Sequence, residues 1–169
     1  MRFTLILIPL GLVLAQTRPA PLQNDYVRVL MGIDQPVDKP GALHEHKQNR
    51  VMIYLDPGDM QIRYADGKID NQHWKQGDIA WSPANGMHTS QNVSSKPIHI
   101  VEVELRNQGN AAAPSAKGAI LDNAQVSVYR GSTAPPAGTH FVAVDEKAGT
   151  YLFDKMPDGA GPFVIVQLK

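Results

Sequence analysis

The sequence predicts an all-β fold of short antiparallel strands, either a sandwich or a barrel. Three observations predict it. Apolar and polar residues alternate with a period of two in many short runs. Glycine and proline are frequent, 14 and 13 of 169 residues, and they fall between those runs as turn residues do. No segment carries a long amphipathic helical period or a heptad repeat. The length suits one domain, or one domain with an appendage.

The elements follow in order. Tyr26 to Leu30 alternates, then gives way to a Pro- and Asp-rich stretch ending at Pro40-Gly41. Arg50 to Leu55 is a second strand, closed by Asp56-Pro57-Gly58. Met60 to Ala65 and Lys68 to Lys75 flank Asp66-Gly67, a strong hairpin signal. Gly77-Asp78 introduces Ile79 to Trp81. Pro83-Ala84-Asn85-Gly86 reads as a turn before Met87 to Val93, and Pro97 to Leu105 is the longest apolar strand.

The N-terminus differs in kind. Arg2 precedes an apolar stretch, Leu5 to Leu14, which is too short to span a bilayer, and Val13 and Ala15 are small residues of the type a signal peptidase reads. Residues 1–15 are therefore expected to be a signal peptide. The mature protein is then expected to be soluble, secreted or periplasmic, with no membrane attachment after cleavage. The chain has no Cys, so an exported form gains nothing from disulfides and relies on its core or on a metal. Sixteen basic side chains balance sixteen acidic ones, which gives no reason to expect nucleic acid or an anionic membrane as a partner.

Residues 16–106 read as the main domain and 107–118, rich in Asn, Gln, Gly, Ala, Pro and Ser, as a linker. In the extension, 119–169, Asn123 to Val128 is similar to Asn24 to Val29, and Gly161 to Val166 to Lys96 to Val101. The tail thus looks like the first and last strands of the domain with the middle removed. A degenerate duplication and two generic β-strands both account for this. Either way the tail is too short to close a barrel of its own, and it is expected to pack on the main domain or on a neighbouring subunit.

The chemistry centres on His44-Glu45-His46. Residues two apart on a strand share a face, with Cα atoms about 6.5–7 Å apart, so both imidazoles can converge on one ion while Glu45 points away. His88, after its turn, can supply a third imidazole. Imidazole does not choose among borderline metals.

These residues resemble the two sequence boxes of the cupin superfamily. The first box runs Gly, His-x-His, three or four residues, Glu, and a strand ending in Gly; here stand His44, His46 and Val51 to Leu55 with Gly58. The second runs Gly, five residues, Pro, a Gly-bearing turn, His, and Asn four positions on; Gly77, Pro83, Asn85-Gly86, His88 and Asn92 match each spacing. The resemblance covers about Tyr26 to Leu105. It implies an antiparallel double-stranded β-helix, a jelly-roll barrel, with the histidines facing its interior as ligands of a divalent metal: iron, zinc, nickel or manganese. Where the family carries its Glu ligand, this chain has Arg50, or Val51 with a longer loop. Neither can ligate. Three histidines with water, a fourth contact from Gln48 or another side-chain oxygen, and a metal-free pocket using Arg50 for an anion all remain open. A cation facing a divalent ion is costly, so a metal-bound form predicts that Arg50 points outward.

His99 shares a face with Val101, Val103 and Leu105, the expected core face, as a pocket wall or a buried hydrogen-bonded residue. Trp81, Met52 and Tyr54 are expected in core or pocket lining. His73 is expected in solvent, His140 without a partner, and Glu102 and Glu104 away from the core. No nucleophile elbow, Walker loop or dinucleotide fingerprint occurs. Two readings follow: a metal-dependent enzyme of oxygenase or isomerase type acting on a small molecule, and a non-catalytic small-ligand module in which Gln48, Arg50, Trp81 and His99 line the pocket. A metal that only staples the fold is a third. A two-fold homodimer is the default expectation for assembly.

Overall fold

The computed structural model describes residues 21–107 and 113–169, so the expected signal peptide and the middle of the linker lie outside the described residues. All its regular elements are strands. In the first part these are β1 (Leu22–Gln23), β2 (Val27–Asp34), β3 (His44–His46), β4 (Arg50–Tyr54), β5 (Gly58–Tyr64), β6 (Ile69–Trp74), β7 (Ile79–Ser82), β8 (Asn85–Asn92) and β9 (Ile98–Leu105). They form two antiparallel sheets, ordered β1-β2-β9-β4-β7 and β3-β8-β5-β6. The chain passes back and forth between the sheets, which makes the barrel a double-stranded β-helix. The Asp66-Gly67 hairpin joins β5 to β6, with Gly67 at φ 87° as such a turn requires. The segment expected as a turn at Pro83 to Gly86 is shorter, because β8 already begins at Asn85.

Strand alternation gives the five-stranded sheet two covered faces. Met52, Tyr54, Ile98 and Ile100 point into the barrel and pack against Met60, Ile62 and Trp74 of the other sheet. Val27, Val29, Met31, Val51, Ile53, Val101, Val103 and Leu105 point the other way. Such a row of aliphatic side chains cannot face water cheaply, since each buried one is worth about 1.5–3 kcal/mol.

The tail covers that row. It contains β10 (Leu121–Asp122), β11 (Val126–Gly131), β12 (Phe141–Asp145), β13 (Thr150–Phe153) and β14 (Phe163–Leu168), ordered β10-β11-β14-β12-β13. Its Val126, Val128, Val142, Val144, Tyr151, Val164, Val166 and Leu168 complete the cluster. The molecule is therefore three sheets deep. The tail also copies the sheet it covers. Leu22↔Val29 is matched by Leu121↔Val128, and Val27↔Leu105 by Val126↔Leu168. Val51↔Val103 and Val51↔Trp81 are matched by Val142↔Val166 and Val142↔Phe153. Even the Asn turn repeats: Asn24 Oδ1 accepts from Val27 N, and Asn123 Oδ1 from Val126 N. The likeness of register extends to β12 and β13.

Candidate metal centre

The four-stranded sheet places the histidines. β3 and β8 run antiparallel with His44 opposite His88, and a register shift separates His44 from His46. One ring nitrogen from each of His44, His46 and His88 lies within 4.8 Å of the others. The ring centroids are 4.9 Å apart for His44 and His46, 4.6 Å for His44 and His88, and 5.3 Å for His46 and His88. His88 is buried and the other two are half-buried. They line a cavity of about 610 Å³ together with Arg50, Met52, Tyr54, Tyr64 and Trp74.

Hydrogen bonds fix how each imidazole presents itself. His44 Nδ1 donates to Ala42 O at 2.9 Å, and His88 Nδ1 donates to Gly86 O at 3.0 Å. Carbonyls only accept, so each ring carries a proton on Nδ1, and its neutral form offers a lone pair at Nε2. That is how metal-binding histidines are held from behind. His46 differs. Its Nδ1 accepts from Arg50 Nη1 at 2.6 Å, so its proton sits on Nε2, 3.2 Å from the His44 Nε2 lone pair. Arg50 is itself held: Nη1 also donates to Glu102 Oε2 at 2.7 Å and Nε to Ser82 Oγ at 3.2 Å. A polarised chain thus runs from Glu102 through Arg50 and His46 to His44. His88 is ready for an ion as it stands; His44 and His46 join it once Arg50 lets go of His46 Nδ1 and the His46 proton leaves Nε2.

The electrostatics match this geometry. Burial holds the His46 imidazole down to about 4, with Arg50, His44 and His88 adding to the effect. It is therefore neutral at pH 7. Burial pushes the Glu102 carboxyl up, against the pull of Arg50, and pushes the Tyr54 hydroxyl to about 12.

Several expectations need correcting. Arg50 does not point outward as expected for a metal-bound form: it is 7% exposed and sits inside the barrel, because β4 alternates Arg50, Met52 and Tyr54 onto the inner face. Glu102 and Glu104, expected away from the core, share the inner face of β9, and with His46 they form a second cluster of metal-capable atoms. His99 does not line the cavity; its Nδ1 meets Asp56 Oδ2 at 2.6 Å. Gln48 lines a separate surface hollow with Lys47, Asn49, Arg106 and Gln125. Trp81 borders the cavity, yet it pairs with Val51, and its side chain packs on the cluster beneath the tail. His140 has partners: Asp154 Oδ2 at 2.6 Å and the Tyr26 ring at 4.0 Å. His73 is exposed at its side chain and bonds Asp59. Trp74, whose buried Nε1 has no hydrogen-bond partner among the described residues, had not been singled out.

The barrel, with its alternating two-sheet path and inward histidines, has the cupin fold. No family model matches the chain, and no curated protein matches it either. Solved structures similar to it include a cupin domain from Bordetella pertussis, with 20% identity and a TM-score of 0.46, covering 54% of this chain and 98% of that one. An RmlC-like cupin with a double-stranded β-helix fold from Methanocaldococcus jannaschii has 19% identity and a TM-score of 0.42, with 55% and 84% covered. A protein with a double-stranded β-helix domain from Klebsiella pneumoniae has 22% identity and a TM-score of 0.40, with 54% and 84% covered.

Proposed function

We propose that the barrel binds a divalent metal through His44, His46 and His88 and receives a small molecule in the adjoining cavity, in an exported protein acting as an oxygenase- or isomerase-type enzyme. The observation that carries this is the pair of backbone-held imidazoles, His44 and His88, which stand opposite each other on β3 and β8 with ring centroids 4.6 Å apart and their Nε2 atoms free of backbone bonds. A bound divalent ion would supply a Lewis acid next to the cavity. Arg50 would orient the small molecule. Its Nε and Nη1 bond Ser82, His46 and Glu102, and Nη2 of the same guanidinium would donate to a carboxylate or similar acidic group. Met52, Ile62 and Ile100 would exclude water from the same space.

A non-catalytic binding module is the second reading, and the Arg50–His46 bond favours it. There the guanidinium supplies the positive charge, and an anionic ligand needs no metal. Metal analysis of the purified protein beside a His44→Ala/His46→Ala/His88→Ala variant separates the two. The first reading expects about one ion per chain, lost in the variant. Equal, near-zero metal in both would sink it. Ligand-dependent thermal stabilisation that survives exhaustive chelation would then support the binding module.

A further inference from the structure

The tail meets the barrel through contacts that occur in both directions. Tyr26 and Gln125 hold equivalent places in the two sheets, as do Asn49 and His140, since Leu105 N bonds Asn49 O and Leu168 N bonds His140 O. Tyr26 lies against His140 with ring centroids 4.0 Å apart, and Gln125 Oε1 accepts from Asn49 Nδ2 at 2.6 Å. The other end repeats the arrangement. Met31 corresponds to Arg130 and Gly77 to Gly149 in the shared register. Arg130 Nη2 donates to Gly77 O at 2.7 Å, while Met31 Cε lies 2.7 Å from where a Cβ on Gly149 would sit. A contact from residue i to j matched by one from j to i is the mark of an isologous two-fold interface. Here it lies within one chain.

The copy keeps the pairing face and gives up the binding face. Arg50 is replaced by Phe141, Glu102 by Ile165 and Met52 by Ala143. Phe141, Ala143, Phe163 and Ile165 close into a small core of their own with Tyr129 and Met156. The linker stretch runs beside it, where Gln167 Nε2 donates to Pro114 O and Ala116 N donates to Ser127 Oγ. Among the described residues the tail has no counterpart of β3, β5, β6 or β8, so it has no histidine wall.

We propose that the tail is a second subunit built into the chain. The outer face of the β1-β2-β9-β4-β7 sheet is a pairing surface for a copy of that same sheet, and the tail fills it in cis, leaving a monomer with one binding cavity in place of a homodimer.

The absence of cysteine makes the test direct. Light scattering on the wild-type protein is expected to give the mass of one chain across the accessible concentration range. In an Asn49→Cys/Gln125→Cys variant, a short bis-maleimide is expected to link the two positions within one chain, so the band stays at single-chain mass on a denaturing gel. A two-chain mass in solution overturns the proposal. So does a cross-linked band at twice the chain mass, which would show the tail seated on a neighbour. The wild-type mass measurement decides the matter even if the cysteine variant fails to fold.

Discussion

Arg50 decides what the histidines can do. It stands where the cupin resemblance places a carboxylate ligand, and it donates to His46 Nδ1. A hydrogen bond to a charged group is worth about 1.5–3 kcal/mol net, and each 1.4 kcal/mol is about tenfold in affinity. Arg50→Met should therefore tighten divalent-metal binding by about 10- to 100-fold, read by titration calorimetry. Unchanged or weaker binding would show that the guanidinium does not compete with the ion. The His46 ring itself gives a pH prediction for the metal-free protein. Its folded value of about 4 lies below its ordinary value of 6.5, so the unfolded chain holds the extra proton between these limits. Its contribution to stability is then present above about pH 6.5 and lost as the pH falls to about 4. Unfolding curves over this interval should be flatter in His46→Gln than in the parent, and the His46 ring should titrate by NMR near pH 4.

The strands explain which readings succeeded. His44 and His46 were legible because a period of two puts them on one face whatever surrounds the strand. The alternation of β9 was equally legible, but its assignment was reversed. Val101, Val103 and Leu105 look like a barrel interior, yet they face the tail, and the inner face carries Glu102 and Glu104. Alternation separates two faces; it cannot say which is the lumen when both are covered. Asn92, noticed only as the end of a motif, has a mechanical role. Its Nδ2 donates to Asp34 O at 2.7 Å and Lys96 O at 2.9 Å, and its Oδ1 accepts from Ser94 N at 2.8 Å, tying the β8–β9 turn to the end of β2. Each buried group left unpaired costs about 1–3 kcal/mol. Asn92→Ala should lose at least that much by urea titration, and Asn92→Asp, which sets a carboxylate oxygen against both carbonyls, should lose no less.

At the scale of the whole molecule the barrel and tail share one apolar cluster, so they should unfold together. Both tryptophans, Trp74 and Trp81, lie in the barrel half, and Leu168, 1% exposed, lies in the tail. Leu168→Ala should cost about 2–5 kcal/mol and should move the tryptophan fluorescence transition by as much as the circular dichroism transition. A barrel signal that stays put would mean that the halves melt separately. The short sequence likeness between the two halves hinted at this arrangement without resolving it. Strand order and register carry the likeness, while the side chains on the face turned away from the shared cluster differ, Arg and Glu in the barrel standing against Phe and Ile in the tail.

The shared cluster has a further consequence. Two separate subunits part when they are diluted below their dissociation constant, and a site that leans on such an interface weakens with them. A tethered partner is held at an effective concentration set by its linker, commonly millimolar, and that value does not change with the number of molecules in solution. The sheet behind Arg50 and Glu102 is thus braced to the same degree in one isolated molecule as in a concentrated sample.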